Sequence, residues 1–79
     1  MSVGIDKLLR MAEQIAANVS IDKDSRRTGE KLARHMQRFW DPRMRQDFLE
    51  YASSEPGTGE LSPALAAAAE RLQADAAST

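Results

Sequence analysis

The sequence predicts an all-α fold, a small bundle of three main helices plus a more loosely docked C-terminal helix. Apolar residues recur at three-four spacing from Ile5 onward, which is the period of a helix with one buried face. Two acid- or hydroxyl-proline pairs, Asp41-Pro42 and Ser62-Pro63, mark helix starts, and no segment shows the period-two alternation of a strand.

The first helix is expected over about residues 4–20, where Ile5, Leu8, Leu9, Ala12, Ile15, Ala16 and Val19 form one stripe. The polar stretch from Ser20 to Ser25 offers Asp24 or Ser25 as the next N-cap. A second helix then runs to about Trp40, with Leu32, Met36 and Phe39 inward and Gly29 and Trp40 at the margin. Proline at position 42 biases Asp41 away from helical angles, so this helix must stop at Phe39 or Trp40. The third helix starts at Pro42, where a missing N–H is harmless, and continues to about Ala52. It turns Met44, Phe48, Tyr51 and Ala52 inward, with Leu49 beside them. Residues 53–60, with Pro56-Gly57 and Gly59, read as a flexible linker. A fourth helix over about 63–75 has a narrow stripe of Leu65, Ala68, Ala69 and Leu72, mostly methyl groups, and is expected to be the least securely held. Residues 74–79 read as a frayed tail.

The 79 residues make one domain, 1–79, with 42% hydrophobic and 29% charged residues, an ordinary globular balance. A single core of this size supports a stability of only about 3–5 kcal/mol, so a partner would help. There is no Cys, which removes disulfides, thiolate catalysis and Cys-ligated clusters. Neither a signal peptide nor a spanning segment is recognisable, and the expected location is cytoplasmic. The formal net charge of −1 conceals a segregation. Residues 1–22 hold two bases and three acids, 23–45 eight bases and three acids, and 46–79 one base and six acids.

Catalytic chemistry finds no footing. His35 is the single histidine and has no nucleophile or carboxylate at a spacing that predicts a dyad. No ligand set predicts a metal site, and Gly57 and Gly59 lack the Lys of a phosphate loop. No catalytic residue, bound cofactor or metal is therefore expected. Arg27, Lys31, Arg34 and Arg38 share one stripe of the second helix. They suggest either a solvated face, a protein-docking face or, alternatively, a small nucleic-acid-binding module. The isoelectric point of about 5.7 argues against the last. A bare homodimeric bundle is a further possibility.

The segment Phe39-Trp40-Asp41-Pro42-Arg43-Met44-Arg45 carries the sharpest signal. Two adjacent aromatics lie about 100° apart on a helix, so both cannot enter one stripe. Arg43 and Arg45 fall in the first turn of the third helix, where a cation is disfavoured by roughly 0.3–1 kcal/mol. Aromatic and arginine side chains are also the types that dominate binding energy at interfaces. The expected partner surface is thus Phe39, Trp40, Asp41, Pro42, Arg43, Met44 and Arg45, joined by His35 and Arg38. Trp40 is its anchor, and Arg43 and Arg45 pair with partner carboxylates or carbonyls.

The chain resembles the small delta subunit of cytoplasmic, NAD-dependent, molybdenum-containing formate dehydrogenases. The resemblance runs from about Ile5 to Leu72. It is carried by the stretch from Lys7 to Ala16, by His35 with the segment Phe39 to Arg45, and by Leu61-Ser62-Pro63 with Ala69-Glu70-Arg71-Leu72. It implies a non-catalytic accessory subunit that assists assembly, cofactor maturation or stability. The implied partner is a catalytic subunit carrying molybdopterin and iron–sulfur clusters, and beyond it the flavin and iron–sulfur subunits. Neither nucleic acid nor membrane is implied as a partner.

Overall fold

A computed structural model describes residues 4–20, 24–54, 59 and 61–77. Within them the chain forms four α-helices and no strand: α1 (Ile5–Val19), α2 (Ser25–Phe39), α3 (Pro42–Ser53) and α4 (Pro63–Ala77). The all-α bundle expected from the periodicity is the observed class. Of the expected linker, residues 55–58 and 60 lie outside the described residues, as do 78 and 79 of the expected tail; α4 itself reaches Ala77.

Each helix start follows from local chemistry. Gly4 has no side chain to cap α1, so its carbonyl takes Lys7 N and Leu8 N at 3.1 Å, and Asp6 supplies a negative charge to the first turn. The Asp24 carboxylate accepts from the backbone N–H groups of Arg26 (3.0 Å) and Arg27 (3.3 Å) to open α2. Asp41 accepts from Met44 N at 3.0 Å to open α3, with Pro42 at its first position. Ser62 accepts from Leu65 N at 3.4 Å, and its hydroxyl donates to Glu13 Oε1 at 2.6 Å. One cap thus both starts α4 and ties it to α1.

The core is a continuous cluster built on Leu8, Ala12 and Ala16 of α1, Leu32, Ala33 and Met36 of α2, Phe48 of α3, and Leu65, Ala68, Ala69 and Leu72 of α4, with Trp40 closing one end. The expected stripe of α4 is buried in full.

The docking of α4 corrects the expectation. It is not loosely held: the α2–α4 pair is the most extensive helix contact in the molecule. The two helices run parallel, since Gly29 lies against Ala64, Ala67 and Ala68 while Gln37 Nε2 donates to Asp75 Oδ2 at 2.6 Å one end further on. A Cβ added at Gly29 would sit 2.8 Å from the Ala64 carbonyl oxygen and 2.9 Å from Ala68 N. Small side chains bury little area each, but here they let backbone approach backbone, and dispersion contacts replace the missing area. Gln73 Nε2 adds a bond to Ser53 Oγ at 3.0 Å, which joins α4 to the end of α3.

Candidate functional site

The corner between α2 and α3 is set by two residues with extended backbone, Trp40 (φ −86°, ψ 141°) and Asp41 (φ −73°, ψ 163°). Proline 42 enforces the second of these angles. The first swings the indole off the helix path and back onto the core, where Trp40 is 5% exposed and meets Phe48 edge-on at 6.3 Å and 86°.

Two expectations change here. Phe39 is not an inward residue: it is 67% exposed, the one exposed large hydrophobic side chain among the described residues. Trp40 is not a surface anchor, because its ring lies in the core. Helical angle is not the reason. The buried positions of α2 are Thr28, Gly29, Leu32, Ala33 and Met36, and Phe39 lies about 20° around the helix from Leu32, between Leu32 and Thr28. What differs is its level, since Phe39 is the last residue of α2. At the level of the last turn Trp40 fills the core instead.

Phe39 is nonetheless held in place. The half-buried His35 ring lies 4.6 Å from it, tilted by 39°, and the Arg38 guanidinium stands 5.7 Å from its centroid. His35, Arg38 and Phe39 therefore form one surface cluster of two rings and a cation. Asp41 and Pro42 are exposed beside them at the corner.

The other members of the expected surface separate from this cluster. Met44 is half-buried and packs on the core. Arg43 points outward, with a side chain 74% exposed, and pairs loosely with Asp47 at 3.9 Å. Arg45 turns back: its Nη1 donates to the carbonyl oxygens of Trp40 (2.6 Å), Met36 (3.1 Å) and Gln37 (3.4 Å). The carbonyl surface that Arg45 was expected to find on a partner is the C-terminal end of α2. Met36 O also accepts the Trp40 backbone N–H at 3.0 Å, so the guanidinium adds to that bond, serves the carbonyls of Gln37 and Trp40, and opposes the negative end of the α2 dipole. Sequence reasoning missed this cap. The available signal was a long cation placed six residues past the end of one helix and within the first turn of the next.

An open groove of about 550 Å³ runs along α3 from Pro42 and Arg45 past Leu49 to Ser53 and Ser54. Along α2, Arg27, Lys31, Arg34 and Arg38 are all exposed, as their spacing requires. Among the described residues no three His, Asp or Glu side chains converge as metal ligands, and no helix is long and apolar enough to cross a membrane.

Fold and site together define a small helical protein whose distinctive feature is an exposed aromatic and cationic corner. Comparison with family models makes this specific. The chain belongs to the NADH-dependent formate dehydrogenase delta subunit family FdsD, whose model matches residues 7–69, from the first turns of α1 to the middle of α4. No curated protein and no solved structure matches the chain. As a delta subunit it belongs with the other subunits of a formate dehydrogenase complex.

Proposed function

We propose that this delta subunit is a non-catalytic accessory protein that acts in the cytoplasm. It assists assembly, cofactor maturation or stability of the molybdenum-containing catalytic subunit, and docks on it through the α2–α3 corner. The observation that carries the reading is Phe39, a large apolar ring two-thirds exposed yet fixed by His35 and Arg38. Exposure of such a ring gains nothing for folding. Its immobilisation lowers the entropy lost on binding, which favours a role as an anchor. Asp41, Pro42 and Arg43 flank the anchor, while Trp40, Met44 and Arg45 support the corner from within.

The test is co-expression of the tagged chain with the remaining formate dehydrogenase subunits. Phe39→Ala is expected to weaken capture of the catalytic subunit by about 2 kcal/mol or more, roughly thirtyfold. Molybdenum content and formate oxidation of the recovered enzyme should fall with it. Full capture, full molybdenum content and full activity with Phe39→Ala would defeat the reading.

A further inference from the structure

At the end of α2 away from the corner, the last turns of α1 and the first turns of α2 and α4 leave a cleft of about 240 Å³. Ala16 and Ala17 form one wall, Ser25 and Thr28 another, and Glu13 and Ser62 stand at the junction of α1 with α4. Thr28 is the one buried polar residue among the described residues, 6% exposed, and its hydroxyl finds no hydrogen-bond partner among them. No unpaired side-chain oxygen or nitrogen is sealed from solvent, so that hydroxyl opens onto the cleft its residue lines. Ser25, one turn earlier, is half-buried and its hydroxyl likewise has no partner among the described residues. Valine has the shape of threonine and would leave no donor unmet, so packing alone does not account for the Thr28 hydroxyl. Glu13 is the one charged side chain that lines the cleft among the described residues. It accepts from Ser62 Oγ at 2.6 Å, which leaves carboxylate lone pairs to spare. The last turn of α1 contains no basic residue, so the negative end of its dipole lacks a cation from that helix. The N-termini of α2 and α4 also open here, but Asp24 already accepts from Arg26 and Arg27 N–H and Ser62 from Leu65 N.

We propose that this cleft receives a lysine or arginine side chain of the catalytic subunit, its cationic head against Glu13 and the hydroxyl oxygens of Ser25 and Thr28, its aliphatic stem along Ala16 and Ala17. The inference rests on the accessory-subunit reading for its partner and adds a second point of contact to the corner. An ammonium or guanidinium has only donors, and the polar groups of the cleft are oxygens that can accept from them. Bonds from such a donor to a carboxylate are charge-assisted. A carboxylate or phosphate in the same place would meet Glu13 and the C-terminal end of α1, and an apolar side chain would leave both hydroxyls unmet. Ser25 and Phe39 are the first and last residues of α2, about 21 Å apart along the axis. A partner held at both ends forms its second contact at a high effective concentration, so the two sites together bind more tightly than either alone.

The experiment measures the affinity of the full-length chain for purified formate dehydrogenase expressed without it, at about 50 mM and about 500 mM salt. The variants are Glu13→Gln, Thr28→Val and Phe39→Ala. Glu13→Gln keeps an acceptor for Ser62 and removes the charge; Thr28→Val keeps the shape and removes the hydroxyl; both should fold as the wild type does by circular dichroism. The expected result at low salt is about tenfold weaker binding for Glu13→Gln and about fivefold for Thr28→Val, with the loss in Glu13→Gln shrinking at high salt. Agmatine, a guanidinium on an aliphatic stem, should compete with the enzyme for the wild type and not for Glu13→Gln. Unchanged affinity in both cleft variants, with a loss in Phe39→Ala, would overturn the cleft and leave the corner standing. Losses in the cleft variants with Phe39→Ala unchanged would uphold the cleft and remove the corner as anchor. Unchanged affinity in all three would overturn both. Agmatine that binds the free chain, seen as shifts of the Ser25 and Thr28 amide resonances, without lowering enzyme affinity would make the cleft a site for a free cation and overturn the partner assignment. The same shifts from inorganic phosphate and not from agmatine would overturn the cation.

Discussion

Two regions meet on α2 and are held by opposite means. Toward α4 the contact is a seam of minimal side chains, Gly29 against Ala64, Ala67 and Ala68, in which closeness of backbones does what area cannot. Toward α3 the contact is a corner held by one large ring and one long cation, Trp40 on Phe48 and Arg45 on three carbonyl groups. A seam of small residues tolerates loss of atoms and not their addition; a corner built on bulk has the reverse sensitivity. The chain can therefore expose Phe39 at the corner because the neighbouring residue, not Phe39, closes the core there.

The largest effect should come from breaking the corner by truncation. Trp40→Ala removes a ring that is 5% exposed and leaves Phe48 without its edge contact, a change of about 3–5 kcal/mol for a buried aromatic. That is comparable to the whole stability expected of a domain this small, about 3–5 kcal/mol. Circular dichroism should show most of the helical signal lost at 25 °C, whereas Phe39→Ala one position earlier should leave it intact. Equal losses from the two would contradict the division of labour between the adjacent aromatics.

Next in size is the seam, broken by enlargement. Gly29→Ala improves helix propensity by up to about 1 kcal/mol. The new methyl group must nevertheless push back Ala67 and the α4 backbone at Ala64 and Ala68, and overpacking of this kind costs about 1–3 kcal/mol. The net expectation is a loss of about 1–2 kcal/mol in urea unfolding. Ala67→Gly in the same chain should restore only part of it, because two of the three close atoms belong to the backbone. Unchanged or higher stability for Gly29→Ala would mean that α4 can slide outward freely and that the seam is no tighter than an ordinary helix contact.

What was legible in the sequence divides along the same line. The caps at Asp24, Asp41 and Ser62 were legible because each is a contact between residues two or three apart, governed by carboxylate or hydroxyl chemistry and by proline. The buried stripe of α4 and the exposure of the α2 cations were legible because helical period alone sorts them. The fates of Phe39 and Trp40 were not, since they depend on where the chain leaves the helix and which of the two adjacent rings is turned onto the core there. A glycine at residue 29 cannot announce that an alanine 38 positions later will press against it. For the same reason the tightest helix pair looked from sequence like the weakest. The corner remained visible as a place of interest, but its inner and outer residues were exchanged.

The smallest of the expected changes tests the corner's second fastening. Arg45 stands between two helix ends, and their fields act on it in opposite directions. Its place in the first turn of α3 disfavours a cation by roughly 0.3–1 kcal/mol. Its reach onto Trp40, Met36 and Gln37 places it on the negative end of α2, with hydrogen bonds from a charged donor that are worth roughly 1.5–3 kcal/mol when well shielded. Partial exposure reduces that gain. Arg45→Met keeps most of the aliphatic stem and removes the donors, so the expected net loss is about 1 kcal/mol, a fall in Tm of about 4–8 °C for a domain of this size. Arg45→Lys, whose single ammonium can still reach the Trp40 carbonyl but lacks the planar fork, should fall between the two. A Tm that does not move in Arg45→Met would show that the fields cancel. Arg45 would then be free of structural duty, and the corner would rest on Trp40 alone.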